Sequence, residues 1–102
     1  MKQIKFSQNW NNKLDCNFFT TIRLFSKKYQ VNETYEIDLN NEIKCKAIAI
    51  DVRPIKVDSL NDFICYLDTG YNKEETIAMF QKMYSNVDLF NCYLALVLLK
   101  KI

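Results

Sequence analysis

The chain has 102 residues and 49% hydrophobic content, enough for one folded domain with a core and too much for a disordered segment. It has no histidine, which excludes Ser/His and Cys/His catalysis, and a single glycine, which excludes a glycine-rich phosphate loop. The net charge of +2 does not by itself indicate nucleic acid. Residues 1–56 carry ten Lys or Arg against six Asp or Glu, which suits a phosphate-bearing ligand, although ordinary solvated strand faces account for the same charges.

The four cysteines are scattered through the chain without a C-x-x-C pair, so we predict neither a metal site nor any other cofactor. Met1–Lys13 is rich in charge and Asn/Gln and shows no secretory leader. No apolar run approaches the roughly 20 residues that span a bilayer. We therefore expect a cytoplasmic protein with no membrane partner, whose reduced thiols serve as packing residues.

The first half of the chain indicates strands, interrupted by one short helix and one basic loop. Ser7–Asp15 is the helix, with Ser7 as its cap and Trp10 on its apolar face as a core residue. An Asn-Asn turn separates two long strands, the second of which changes face partway and indicates a β-bulge or a strand covered on both sides. The predicted strands are Met1–Phe6, Phe18–Arg23, Tyr35–Leu39 and Ile43–Arg53, with the loop at Leu24–Asn32 and Pro54 ending the last strand.

The second half changes to a helical period. Apolar residues recur at helical spacing between Leu60 and Leu67, on a face that also includes Phe63 and Ile64, with Asp58 as the cap and Gly70 as the stop. A second helix begins at Asn72, with Glu75 at capping-box spacing. Cys92–Leu99 is apolar on both faces, which is typical of a central strand. The order predicts an α+β domain built on a small barrel of four to six strands, with a helix pair before the last strand.

Phe18–Arg23 is the stretch most suggestive of a site. Alternation places Thr21 and Arg23 on one face, while Phe18, Thr20 and Ile22 form the predicted core face. A hydroxyl beside a guanidinium can hold a phosphate or a base edge. The alternative is a strand with ordinary threonines and a solvated arginine.

The chain resembles ASCH domains, which are members of the PUA-like superfamily. The resemblance is carried by the string FFTTIR, by the following KYQVNETYEIDL and by the order of elements. It extends over nearly the whole chain and implies a single domain. The resemblance extends to the bacterial branch of small amidohydrolases that remove the acetyl group from acetylated cytidine. It implies that Thr21 is the nucleophile, that Glu75 assists and that Arg23 is the motif arginine. The family's lysine falls on Phe18, which cannot take a proton, so Lys13, Lys27 or Lys28 would have to replace it.

Further candidate ligand contacts surround this stretch. Lys27 and Lys28 are the best phosphate candidates, Tyr29 can stack on a base, and Asp68 and Tyr71 can form the rim of a pocket. A solvated loop is the alternative for the two lysines. For Glu75 the alternative is a capping role in its own helix.

Three functions remain open at this stage. The first is a module that binds a nucleotide, a modified nucleoside or RNA in a cleft beside Thr21 and Arg23. The second is an amidohydrolase acting on an acylated cytidine nucleoside through Thr21 and Glu75. The third is a phage-type interaction protein that keeps the fold without the chemistry. The absence of a lysine at Phe18 favours the first over the second.

Overall fold

A computed structural model describes all 102 residues as an α+β fold, with five strands in one sheet that curls into a half-barrel. The sheet order is β1-β3-β4-β5-β2, so β1 and β2 are its two edges and β5 is internal, as predicted. β1 runs parallel to β3, and every other pairing is antiparallel. The strands are β1 (Lys2–Phe6), β2 (Phe18–Leu24), β3 (Thr34–Leu39), β4 (Glu42–Lys56) and β5 (Tyr93–Lys101).

Two apolar cores hold the sheet. The first fills the concave side of the half-barrel, where Ile4, Tyr35 and Val97 are completely buried. The second lies between the sheet and the helices, and includes Ile22 and Phe80. Strand alternation divides the side chains between the two cores, because successive residues point to opposite faces.

The predicted division of β2 into a core face and an open face is wrong in part, because both faces contribute buried residues. Phe18, expected in the core, is 53% exposed, whereas Phe19 is buried in the concave core together with the Thr21 side of the strand. Ile22 is buried as expected, but under the helices. The difference has a tertiary cause, because both faces of β2 carry apolar residues and alternation alone does not say which one the barrel encloses.

The predicted bulge in β4 is confirmed. The pairing with β5 shifts register between Ala49 and Asp51, which leaves Ile50 exposed. Pro54 does not end the strand, which continues to Lys56. Pairing with β3 stops at Ile48, so Pro54 lies where β4 has one free edge and a missing N–H is tolerated.

The two helices follow the predicted order with one change at a cap. α1 (Asp62–Thr69) is capped by Asn61, whose side chain accepts from the Ile64 N–H, and not by Asp58. It ends at Gly70, whose φ of 82° is the left-handed conformation that glycine adopts without strain. α2 (Lys73–Met83) carries the predicted capping box between Asn72 and Glu75.

The predicted apolar face of α1 is wrong in part. Phe63 is 74% exposed and Leu67 is 54% exposed, whereas Cys65, Asp68 and Thr69 are buried. Asp68 is buried because it pairs with Lys13, which precedes β2, and accepts a hydrogen bond from Thr20 on β2. Apolar periodicity cannot anticipate a buried ion pair.

The predicted helix at Ser7–Asp15 is instead a 3₁₀ segment at Trp10–Asp15. Asn11 and Asn12 both have positive φ, a conformation that Asn adopts more readily than most residues, and they interrupt the turn. Ser7 does not cap the segment; the Asn9 side chain accepts from the Leu14 N–H at 2.9 Å instead. Lys13 is buried in the last turn of this interrupted segment.

Candidate functional site

Arg23 joins the two edges of the half-barrel. Its Nε donates to the Thr21 hydroxyl at 2.9 Å, and its guanidinium donates to the Lys5 carbonyl on β1 at 2.7 Å. Its Cζ lies 4.6 Å from the centroid of the Phe6 ring, within cation–π range. The predicted pairing of Thr21 with Arg23 on one strand face therefore exists, and Arg23 also links β2 to β1 through the Lys5 carbonyl.

A cavity of about 350 Å³, which we call the mouth cleft, opens beside Arg23. Lys5, Phe6 and Trp10 form much of its wall. The other lining residues are Ser7, Arg23, the acidic residue Asp38, the Asn40–Asn41 turn and Met83. Its size lies at the lower end of the range for small-ligand sites, roughly 300–1,000 Å³. Both asparagines of the turn have positive φ, and the backbone N–H of Asn41 donates to Asp38 at 2.8 Å, which fixes the turn.

Positive charge is concentrated near the mouth cleft. Burial lowers the pKa of Lys28, and the charges of Arg23, Lys5 and Lys2 lower it further. Lys28 Nζ lies 5.7 Å from the centroid of the Tyr29 ring. Arg23, Lys5, Lys2 and Lys28 are hereafter the mouth cations. Like charges held this close favour binding of an anion that neutralises them.

A second polar cluster lies on the other side of β2 and is almost closed to solvent. Lys13 Nζ lies 3.0 Å from Asp68 Oδ1, and the Thr20 hydroxyl donates to the same oxygen at 2.9 Å. The side chains of Lys13 and Asp68 are 6% and 4% exposed. Burial lowers the pKa of Lys13, the Asp68 carboxylate opposes that change, and Arg23 adds to it. We call Lys13, Asp68 and Thr20 the sealed cluster.

An inner pocket of about 30 Å³ connects the two clusters. Lys13, Asp68, Thr21 and Arg23 all contribute to its wall. The Thr21 side chain is almost completely buried, and its oxygen accepts from Arg23, so the hydroxyl proton is directed elsewhere. The pocket has room for one small polar group of a ligand, and a whole base or sugar does not fit.

A third cavity, of about 440 Å³, lies on the far side of Trp10 and is hereafter the side groove. Trp10 and Tyr71 meet edge to face in its wall, with ring centroids 6.2 Å apart. Glu75 lies in the same wall and is exposed; its carboxylate accepts from the Asn72 N–H at 3.4 Å. Trp10 is half-buried, packs against the concave core as predicted, and also borders all three cavities.

The structure thus brings together some of the predicted site residues and separates others. Thr21, Arg23 and Asp68 meet around the inner pocket, whereas Glu75 and Tyr71 lie in the side groove. Lys28 is one of the mouth cations, Tyr29 lies beside it, and the pKa of Tyr29 is raised by burial. Lys27 is exposed, and its backbone carbonyl accepts from the Gln30 side chain.

The resemblance noted in the sequence expects a lysine where this chain has Phe18. Phe18 is half exposed and far from the wall of the inner pocket. Of the three lysines considered from sequence, only Lys13 lines that pocket. Its recorded hydrogen bond goes to Asp68, and no ammonium group donates to the Thr21 hydroxyl.

Several contributors to the mouth cleft were not identified from sequence. Lys5, Phe6 and the Asn40–Asn41 turn enter the site because β1 pairs in parallel with β3. A short parallel edge strand at the N-terminus carries no local sequence signal for its partner. The two consecutive asparagines did signal a turn, but not its place at a cleft.

No group of three His, Cys, Asp or Glu side chains in the chain is arranged to hold a metal ion, and all four cysteines are free thiols. None of the helices has both the length and the hydropathy needed to cross a bilayer.

The fold and the cleft together define a small α+β half-barrel protein with a cationic cleft between its two edge strands. Comparison of the chain with family models, with curated proteins and with solved structures gives no match.

Proposed function

We propose that the chain binds a nucleotide, a modified nucleoside or RNA in the mouth cleft beside Thr21 and Arg23. The observation that supports this most directly is that Lys5 and Arg23 share one cavity of about 350 Å³ with the aromatic residues Phe6 and Trp10, with Lys28 close by. Phosphate oxygens accept from a guanidinium and from ammonium groups in short, charge-assisted hydrogen bonds. Aromatic side chains give a base a surface to stack on.

The cleft also offers groups suited to a base edge. The Thr21 hydroxyl has a proton to donate into the adjoining inner pocket. Asn40 and Asn41 in the wall of the mouth cleft carry amide groups that are both donors and acceptors. A guanidinium already fixed by Thr21 and Lys5 loses little side-chain entropy when a ligand binds.

We further propose that the fold is PUA-like and that the chain is an ASCH-type domain. The strand order with a parallel β1–β3 pair, the curled sheet and the helix pair before β5 are in keeping with this proposal. The Thr20–Arg23 string supports it by sequence. Asn32–Glu33 stands where Gly-Asp is usual in the family, which is a departure from the pattern.

Trp10 is the only tryptophan in the chain and borders the mouth cleft, so its fluorescence reports on ligand binding. We expect cytidine monophosphate and short RNA, titrated at low salt, to change that fluorescence saturably. The Lys5→Ala variant removes an exposed cation from the cleft and should weaken binding by about tenfold, in line with the loss of one phosphate contact. Lys46→Ala, an exposed lysine on β4 outside the cleft, is the matched control.

Equal affinities for Lys5→Ala and Lys46→Ala, or no saturable change with any nucleotide or RNA, would refute binding at the mouth cleft.

A second candidate function is favoured by one observation, the presence of Lys13 in the inner pocket with Thr21. Because burial lowers the pKa of Lys13, a neutral amine is more accessible there than on the surface. In this candidate, Lys13 accepts the Thr21 proton as the threonine oxygen attacks the acyl carbonyl of an acylated cytidine. The proton then passes to the departing amine, and water hydrolyses the threonine ester.

Two features oppose turnover: Thr21 is 2% exposed, and Glu75, the expected assisting carboxylate, lies in the side groove. We expect no catalytic release of cytidine from acetylcytidine. Release that Thr21→Ala abolishes, with the fold retained by circular dichroism, would establish the amidohydrolase instead.

A further inference from the structure

The mouth cleft and the side groove share one wall. Trp10 borders both, Met83 connects the mouth cleft to the inner pocket, and Met79 connects the inner pocket to the side groove. Each of the two large cavities, at about 350 and 440 Å³, falls in the size range of a site for one small ligand. The two cavities therefore lie on either side of Trp10, and a ligand has to be longer than one nucleoside to occupy both.

The two cavities differ in chemistry. The mouth cleft has Lys5 and Arg23 in its wall, with Lys28 close by. The side groove has no cation in its wall and instead presents Tyr71, Met79 and the carboxylate of Glu75. Tyr71 is 43% exposed and its ring meets Trp10 at an interplanar angle of 71°, so the two rings are not stacked face to face on each other. A phosphate suits the first cavity, and a base without a phosphate beside it suits the second.

We infer that the ligand is a segment of single-stranded nucleic acid and not a free mononucleotide, and that Tyr71 provides a second base platform in the side groove. This inference rests on the proposed function, because the same mouth cations hold the phosphate. A strand of two or more nucleotides places a phosphate at the mouth cations and a neighbouring base on Tyr71. Both RNA and DNA have this chemistry, and contacts to the ribose 2′-hydroxyl distinguish them.

The test compares cytidine monophosphate with tetramers of oligocytidylate and oligodeoxycytidylate, titrated against the full chain by Trp10 fluorescence and by calorimetry. We expect at least one tetramer to bind about tenfold or more tightly than the mononucleotide, the usual gain from one additional stacked base. Tyr71→Ala should remove most of that gain, measured as the ratio of tetramer affinity to mononucleotide affinity in the same variant. Tyr71→Phe, which keeps the ring, should restore it.

Tyr66→Ala is the matched control, since Tyr66 is a half-exposed aromatic residue on α1 outside both cavities. If the tetramer still binds Tyr71→Ala more tightly than the mononucleotide does, the gain is electrostatic and the second platform is wrong. A tetramer that binds the unsubstituted chain no more tightly than the mononucleotide would overturn it as well. In both cases the mononucleotide still binds, so the proposed function survives. Absence of all binding would overturn the proposed function as well.

Discussion

The two polar clusters on either side of β2 contain similar groups in opposite environments. The sealed cluster holds a lysine and an aspartate that are almost fully buried, with Thr20 bonded to the same carboxylate oxygen. Of the mouth cations, Lys5 and Arg23 line the open cleft, and only Arg23 is fixed there by hydrogen bonds to the protein. The ring of Phe6 contacts both, at 5.3 Å from Lys13 Nζ and 4.6 Å from Arg23 Cζ.

The difference indicates a division of roles. Buried charges that satisfy each other hold α1 and the 3₁₀ segment against β2. Exposed like charges have no such role, because removing one of them leaves no buried partner unpaired. We therefore expect substitutions in the sealed cluster to change stability, and substitutions of exposed mouth cations to change binding.

The largest expected effect is that of Asp68→Ala, which leaves the Lys13 ammonium buried without a counter-charge. Loss of one partner of a buried ion pair costs about 3–5 kcal/mol in free energy of unfolding. Urea denaturation followed by far-UV circular dichroism measures it. The double variant Lys13→Met/Asp68→Leu removes both charges and should recover much of the loss. A cost below about 1 kcal/mol for Asp68→Ala, the usual limit for an exposed pair, would mean that the cluster is not sealed.

Arg23 belongs to both roles, so Arg23→Ala should affect stability and binding together. The variant leaves the Lys5 carbonyl and the Thr21 hydroxyl without their donor, at about 1–3 kcal/mol if they stay unsatisfied. Arg23→Lys keeps the charge but not the planar fork, and should retain part of the nucleotide affinity while still losing stability. The two quantities are measured by urea denaturation and by the Trp10 titration. An Arg23→Ala variant that binds nucleotide normally would contradict the assignment of Arg23 to the cleft.

A smaller effect is expected from pH. Burial and the neighbouring charges of Arg23, Lys5 and Lys2 hold the pKa of Lys28 below its ordinary value of 10.5. A bound phosphate favours the charged amine, so raising the pH toward 10.5 deprotonates Lys28 in the free protein and weakens binding. Lys28→Arg stays charged across this range and should lose affinity less steeply. Tyr29, whose pKa is raised by burial, is present in both proteins, so its titration does not account for a difference between them. Identical pH profiles for the two proteins would exclude Lys28 from the phosphate contact.

The smallest effect should come from the exposed face of α1. Phe63→Ser and Leu67→Ser replace side chains that are more than half exposed, so each should change the free energy of unfolding by no more than about 0.5 kcal/mol. Nucleotide affinity should not change. Thermal denaturation monitored by circular dichroism measures the change. A loss of about 2 kcal/mol or more in free energy of unfolding is typical of a core position and would mean that these residues are buried, as periodicity predicted.

Sequence patterns predicted most of the elements because their signals are local. The alternation of Tyr35, Ile37 and Leu39, the glycine after α1 and the Asn72–Glu75 capping box each act within a few residues. The α+β class and the β4 bulge followed from the same local patterns.

The features that the sequence did not predict depend on contacts between residues far apart in the chain. The inward face of β2 is set by which side the sheet curls toward, and the polar inner face of α1 is set by Lys13, 55 residues away from Asp68. The mouth cleft depends on the parallel pairing of β1 with β3. Parallel strands are not joined by a tight turn, so the sequence gives no local signal that these two strands pair. Thr21, Arg23 and Asp68 were named from sequence, but the separation of Glu75 from them could not be derived without the helix orientations.

The most direct test of the central claim is amide chemical-shift mapping of the ¹⁵N-labelled chain during titration with cytidine monophosphate and an RNA tetramer. The account predicts the largest shifts at Lys5, Trp10, Arg23 and Asn40–Asn41, with Tyr71 joining them only for the tetramer. Shifts confined to α1 around Phe63–Leu67, or no shifts at saturating ligand, would contradict it.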